Sequence, residues 1–206
     1  SKRIMVPFCP ESKLSGIEYK DFMSSVWYRK EFSVPQSWFS NRTLLHFGAV
    51  DYKAMVWVNG ILAGNHRGGY TSFEFDISKL LVPGTNVIVL CAEDDVRSGL
   101  QPRGKQSSLY YSHGCNYTRT TGIWQTVWLE NVPQTYIKAF KLMPDPDNSC
   151  LHLALEAVGD TPGCELQIKA YFGGRETGNT KVGFSGKRSN LSGDSEGSFH
   201  HLCHVT

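Results

Sequence analysis

Long apolar runs are missing from this sequence; none approaches the roughly 20 residues that a membrane-spanning helix needs. Excess charge is missing as well. Lys and Arg number 21 against 19 Asp and Glu, a formal net charge of +2. That leaves no electrostatic footprint for a nucleic acid or an anionic membrane, and neither is expected as a partner. No stretch carries a long 3.6-residue apolar period, which argues against a helical bundle. None of the six cysteines (Cys9, Cys91, Cys115, Cys150, Cys164 and Cys203) sits in a Cys-x-x-Cys pair. A structural zinc site is therefore not expected, and reduced thiols are, since 206 residues can build a core without staples. The P-loop, Gly-x-Gly-x-x-Gly, His-Glu-x-x-His and Gly-x-Ser-x-Gly motifs are all absent, and no cofactor is expected. The opening SKRIMVP shows no signal-peptide apolar segment.

What the chain does have is turns and aromatics. Twenty Gly and nine Pro are scattered along it, with 5 Trp, 9 Tyr and 11 Phe. Short β-branched and aromatic runs between such turn residues indicate an all-β protein. The stretch HFGAVDYKAMVWVNGILAGNHRGGY, residues 46–70, is its centre. Asn59-Gly60 between the runs 55–58 and 61–63 predicts a two-residue hairpin, because a type I′ turn needs positive φ at both central positions. Gly48, Gly64, Gly68 and Gly69 mark bends or close approaches around it. Arg67 and Tyr70 flank the glycine pair. They either project toward a ligand groove, or Tyr70 is a core aromatic and Arg67 a solvated loop charge.

In chain order, residues 1–25 read as an extended lead-in broken by Pro7 and Pro10, with a turn at 14–17. Strands are expected at 26–34, 42–47, 71–77, 86–92 and 126–130, with a turn or single helical turn at 78–81 and Trp38 in a loop. Residues 94–119 form a polar connection too long for a plain linker, so it is either functional or hides a short element. Pro133 marks a boundary, giving domains 1–134 and 135–206. Strands follow at 136–143, 150–157 and 165–171, a turn is expected at 144–148, and 198–205 is a candidate last strand. The Gly-, Ser- and charge-rich run 173–197 is expected to be poorly ordered. Three to five strands in about 70 residues fall short of a complete sandwich, which typically takes about 100, and would leave an exposed strand edge.

Candidate chemistry is sparse. Asp94-Asp95 reads as a turn or solvated pair, since adjacent carboxylates do not face each other across a sugar. The tail His200-His201-Leu202-Cys203-His204 holds metal-ligand types, with His200 and His204 on one face of a strand and His201 and Cys203 on the other. Sequons occur at Asn41, Asn116 and Asn190.

Three segments in order, FGAVDYKAMVWVNGILAGNHRGGYTSFEFDI, QPRGKQ and YTRTTGIWQTVWLE, resemble the N-terminal sugar-binding domain of family 2 glycoside hydrolases, the β-galactosidase and β-glucuronidase group. The opening VPFCPESKLSGI resembles a bacterial branch, which implies the cytoplasm or periplasm. The resemblance covers residues 1 to about 135, with Asp51, Asn59, Gly60, Gly68, Gly69, Tyr70, Gly122 and Trp124 in its motifs. It implies a jelly-roll β-sandwich, then an immunoglobulin-like sandwich begun by residues 136–206, then a TIM barrel bearing the family's two catalytic glutamates. This chain shows no such barrel, so it is expected to be inactive alone and to contain no catalytic residue.

The same resemblance implies that the loop before Thr121-Gly122-Ile123-Trp124 reaches the substrate pocket. That makes Asn116, Tyr117, Arg119, Arg103 and Gln106 candidates for the substrate wall. Where the β-galactosidases carry an acid three positions before the Arg, this chain has Asn116, which can still donate to and accept from a sugar hydroxyl. Arg119 is alternatively a salt-bridge partner of Asp51 or Glu130, and Trp124 is read as core. The implied partners are carbohydrate, bound weakly in isolation, the parent enzyme's barrel, and a second copy in a homo-oligomer. Two other readings stand beside this one: a free-standing carbohydrate-binding module using Trp38 or Tyr110, and a purely structural domain.

Overall fold

The computed structural model describes residues 2–148, 150–160 and 163–183, and the backbone of 201–203. The chain divides into two compact units, Ser1–Val132 and Pro133–Thr206. Among the described residues regular structure is all strand apart from three short 3-10 turns, and no helix is long and apolar enough to cross a membrane.

The first unit holds β1 (Ser25–Phe32), β2 (Arg42–Phe47), β3 (Val50–Asp51), β4 (Lys53–Val58), β5 (Ile61–Arg67), β6 (Phe73–Asp76), β7 (Asn86–Glu93), β8 (Gly122–Ile123) and β9 (Val127–Val132). They pair as antiparallel sheets ordered β1-β7-β4-β5, β6-β2-β9 and β3-β8. Strand alternation turns Ala54, Val56 and Val58 of β4 inward, and Leu90 and Ala92 of β7 beside them. These meet Leu45 and Phe47 of β2, with Val50 and Ile123 from the small sheet, in one buried cluster. Each such side chain contributes about 1.5–3 kcal/mol by leaving water, so this shared core makes the two larger sheets a sandwich.

The central hairpin forms where the sequence placed it. Val58 pairs with Ile61, and Asn59 and Gly60 have φ of 51° and 81°. Asn59 also ties the turn to the rest of the unit. Its Nδ2 donates to Leu80 O and to Asn86 Oδ1, both at 2.8 Å, and its Oδ1 accepts from Val87 N at 2.9 Å. A Cβ on Gly60 would meet nothing within 4 Å, so Gly60→Val tests backbone conformation alone. It is expected to lower stability by about 1 kcal/mol or more, because a β-branched residue resists positive φ. An unchanged melting temperature would sink the turn assignment.

Some elements differ from their sequence reading. Trp38 lies in a 3-10 helix, Gln36–Ser40, and another, Lys13–Ser15, is closed by Gly16 at φ 78°. The strands β3 and β8 pair within the first unit through two residues each, too few to show a pattern. The loop after β7 does contain hidden pairing: isolated bridges join Gln106 to Tyr117 and His113 to Asn116.

The second unit contains β10 (Tyr136–Asp145), β11 (Cys150–Val158), β12 (Glu165–Phe172), β13 (Arg175–Gly183) and β14 (His201–Cys203). Their sheets are ordered β10-β11-β14 and β12-β13. Pro144 is inside β10, not in the following turn, and β10 is an edge strand, where a missing N–H is tolerated. β13 corrects the expectation of disorder for residues 175–183. Polar cross-strand pairs hold it to β12, including Lys181 Nζ to Glu165 Oε1 at 2.6 Å and Gln167 Nε2 to Asn179 Oδ1 at 3.4 Å, without an apolar alternation to announce it. The rest of the expected disorder, residues 184–197, lies outside the described residues, as do the side chains of the His200–His204 tail.

Candidate functional site

The sequence's long polar loop, residues 94–119, folds over one end of the first unit on buried polar groups. Asp94 starts it. Its Oδ1 accepts from Gln101 Nε2 at 2.6 Å and its Oδ2 from Thr121 Oγ1 at 3.1 Å. Gln101 Oε1 in turn accepts from Asp95 N at 3.2 Å, closing the first bend. Gln106 is buried at the centre. Its Nε2 donates to Asp51 Oδ2 at 2.7 Å, and its Oε1 accepts from Thr120 N at 2.7 Å. Ser107 braces the second bend through Tyr111 O at 2.8 Å, His113 Nδ1 at 3.1 Å and Leu109 N at 3.0 Å.

Arg119 is also buried. Its guanidinium donates to the carbonyls of Leu109 and Lys20, reaches Ser107 O at 3.5 Å, and lies over the Phe22 ring at 4.1 Å. It makes no ion pair with Asp51 or Glu130; both of its terminal nitrogens are turned to backbone oxygens. Gln106 and Arg119 thus hold the loop from inside, and neither stands at its surface as a wall residue. The accessible candidates are Tyr117, half of which is exposed, and the half-buried Asn116 and Arg103. Asn116 sits at a tight turn, exchanging backbone bonds with His113 at 2.8 and 3.1 Å. Its Nδ2 lies 3.5 Å from His113 Nε2, too long to hold the amide.

The motif residues fall around this loop. Asp51 is buried, and Gly69 packs against its carboxylate, where a Cβ would come 2.3 Å from Oδ1. Gly68 donates its N–H to Tyr52 O at 2.9 Å. Gly122, at φ 76°, lets β8 approach Tyr28, whose hydroxyl accepts from Ile123 N at 3.2 Å. Trp124 is half-buried, not core: its indole N–H donates to Gly69 O at 2.8 Å. Tyr70 is exposed, edge-on to Trp124 at 6.0 Å, with its hydroxyl 3.4 Å from Gln106 Nε2. Of the other sugar-platform candidates, Tyr110 is exposed and meets Phe22 edge-on at 5.0 Å, while Trp38 is half-buried.

Three carboxyl groups are buried here. Burial, then the charge of Asp94, pushes Asp51 up to about 7. Burial likewise raises Glu11, whose oxygens accept from Thr121 N at 3.2 and 3.3 Å, and it raises Asp94. Glu11 belongs to the segment that read as a mere lead-in. Sequence reasoning also missed an open cleft of about 630 Å³ beside the loop, lined in part by Tyr52, Lys53, Arg67, Glu93, Asp95 and Gln101. Arg67 lies over the Tyr52 ring at 5.5 Å, and Lys53 pairs with Glu93 at 2.9 Å. Lys53 and Arg67 begin β4 and end β5, and Glu93 ends β7; their polarity was visible, their concavity was not. Cys9, Cys91, Cys115, Cys150 and Cys164 are free thiols.

A family model described as the sugar binding domain of glycosyl hydrolases family 2 matches residues 14–133. A β-galactosidase of Thermoanaerobacter pseudethanolicus is 29% identical over 165 residues, covering 79% of this chain and 20% of that protein. A β-glucuronidase of Felis catus is 31% identical over 137 residues, 58% of this chain and 21% of the relative. A β-glucuronidase of Paenibacillus borealis is 43% identical over 65 residues, 32% of this chain and 11% of the relative. The chain therefore spans about a fifth or less of these curated relatives. Among solved structures, a Bacteroides uniformis β-glucuronidase superposes with a TM-score of 0.66 at 22% identity, over 89% of this chain and 22% of that one. A Ruminococcus gnavus β-glucuronidase in complex with uronic deoxynojirimycin gives 0.67 at 18% identity, over 98% and 33%. At such identities the structural likeness speaks for the fold.

Proposed function

The chain belongs to glycosyl hydrolase family 2, whose sugar binding domain it carries at residues 14–133, and from that premise we propose that it serves as a non-catalytic wall of a glycosidase active site. In this reading residues 1–134 are the jelly-roll domain and 135–206 begin an immunoglobulin-like sandwich. Both scaffold a TIM barrel that supplies the catalytic carboxylates, and the substrate is a β-galactoside or β-glucuronide. The supporting observation is the loop's construction. Gln101, Gln106, Ser107 and Arg119 pin it internally, while Asn116 and Tyr117 stay accessible at its far bend. A pinned loop presents polar groups without the ordering cost that a flexible one incurs on binding.

Asn116→Ala in the full-length enzyme is expected to lower kcat/KM about tenfold, the loss of one sugar hydrogen bond of about 1–1.5 kcal/mol. The melting temperature should change little, since the Asn116 amide makes only the long contact to His113 Nε2 at 3.5 Å. Wild-type kcat and KM in that variant would reduce the loop to a structural element. A second reading, a free-standing carbohydrate-binding module, draws on the cleft beside Tyr52 and Arg67, where an aromatic face and several hydrogen-bonding groups converge. Calorimetric titration of the 206-residue chain with mono- and oligosaccharides separates the two. The wall reading expects at most weak binding, whereas the module reading requires saturable binding that Tyr52→Ala removes.

A further inference from the structure

The β10–β11 hairpin has a feature that carbohydrate chemistry does not use. Asp145, the last residue of β10, pairs directly with Cys150, the first of β11, and His152 follows two positions along β11. Directly opposed residues and residues two apart share one face of a sheet, so three different ligand types meet at the closed end of the hairpin. His152 Nε2 lies 3.5 Å from Cys150 Sγ and 3.6 Å from Asp145 Oδ2. All three atoms lie within 4.8 Å of one another.

We propose that Asp145, Cys150 and His152 bind one zinc-type divalent ion. Tetrahedral zinc with ligand bonds of about 2.0–2.3 Å has ligand-to-ligand edges of about 3.3–3.7 Å. Two of the three separations already fall within that range, and a small rotation of one side chain closes the third. One sulfur, one nitrogen and one oxygen suit zinc and its neighbours, whereas calcium and magnesium take oxygen sets. The carboxylate is also held in place. Asn148 donates its backbone N–H to Asp145 Oδ1 at 3.2 Å and its Nδ2 to Oδ2 at 2.7 Å. Such bonds orient a ligand.

The alternative is an ordinary ion pair beside an ordinary thiol contact. In that arrangement an Nε2 proton has Oδ2 at 3.6 Å, beyond good hydrogen-bond distance, and Sγ at 3.5 Å, an ordinary distance for sulfur. A cation satisfies all three atoms at once. Asp145 and His152 are each about 30% exposed, so the ion enters from solvent, and three protein ligands leave a fourth position for water. Spacing alone did not suggest this site, because the ligands come together through strand register and not through a Cys-x-x-Cys pattern.

The test is titration of the full 206-residue chain with Co²⁺, followed by optical absorption. One equivalent is expected to produce tetrahedral d–d bands with a thiolate-to-cobalt charge-transfer band, and Zn²⁺ should displace it. Cys150→Ser should abolish the charge-transfer band. His152→Ala and Asp145→Asn should each weaken Zn²⁺ binding at least about tenfold. A variant with His200, His201 and His204 changed to Ala and Cys203 to Ser should keep the band. Circular dichroism should show each variant folded, and Asp145→Asn retains the hairpin's size and polarity if the others do not. The proposal is overturned if no band forms below millimolar Co²⁺, if the band survives Cys150→Ser, or if it is lost in the tail variant.

Discussion

At pH 5 the first unit is expected to be more stable than at pH 8 by on the order of 3 kcal/mol. The cause is the buried carboxyl cluster under the loop. Asp51 titrates near 7 in the folded protein because burial, then the Asp94 charge, opposes ionisation, against an ordinary value of 3.8. Between those values the native state holds a proton that the unfolded chain has released. Stability therefore falls as pH rises through that window. From pH 5 to about 7 the loss is about 1.4 kcal/mol per unit for this one group, and above 7 it levels off. Glu11 and Asp94 are raised as well and act in the same direction. Asp76 acts oppositely: burial works against its charge, but bonds from Ser78 and Arg42 outweigh that and hold its carboxyl below the usual range. Its contribution is lost only as pH falls through that lowered value, below the window. Denaturant midpoints of the first unit at pH 5, 6, 7 and 8 would show the slope, and Asp51→Asn should flatten it. Stability that rises with pH across this range would contradict the burial argument.

The parts of the fold legible in the sequence are those set by local chemistry. Asn59-Gly60 fixed the hairpin through backbone sterics, and β2 runs from Arg42 to Phe47 as its apolar run indicated. What stayed hidden depends on partners far along the chain. Nothing near Gln106 says that it is buried, because its acceptor, Asp51, is 55 residues away. Thr121 and Glu11 are 110 residues apart. A polar residue becomes core only when such a partner arrives, since burial without one costs roughly 1–3 kcal/mol, and one sequence does not show the pairing. β13 stayed hidden for the complementary reason: its stability comes from backbone pairing and polar neighbours, and neither leaves an apolar period. The resemblance singled out the loop before Thr121 as a candidate. Geometry then separated its inward pins, Gln106 and Arg119, from its accessible residues, Asn116, Tyr117 and Arg103.

Gly69→Ala should destabilise the first unit by about 3 kcal/mol, more than Gly60→Val, although Ala adds only a methyl group. Gly60 stands in open space and resists substitution through its φ alone. Gly69 presents the reverse case. A Cβ there would lie 2.3 Å from Asp51 Oδ1 and 2.6 Å from its Cγ. Asp51 has no room to yield, being a short, fully buried side chain whose other oxygen is held by Gln106 at 2.7 Å. Displacing it would break that bond, and with it the attachment of the loop through Gln106 to Thr120. The carbonyl of Gly69 also receives the Trp124 indole, so a backbone shift that relieved the clash would disturb a second contact. The double change Gly69→Ala with Asp51→Ala separates these effects. Removing the carboxylate removes the clash, so the double variant should be more stable than the sum of the two single losses implies, by at least about 1 kcal/mol. Additive losses would show that Gly69 is needed for some reason other than the Asp51 carboxylate, and a melting temperature unmoved by Gly69→Ala would remove the close packing of these two residues from the account of the site.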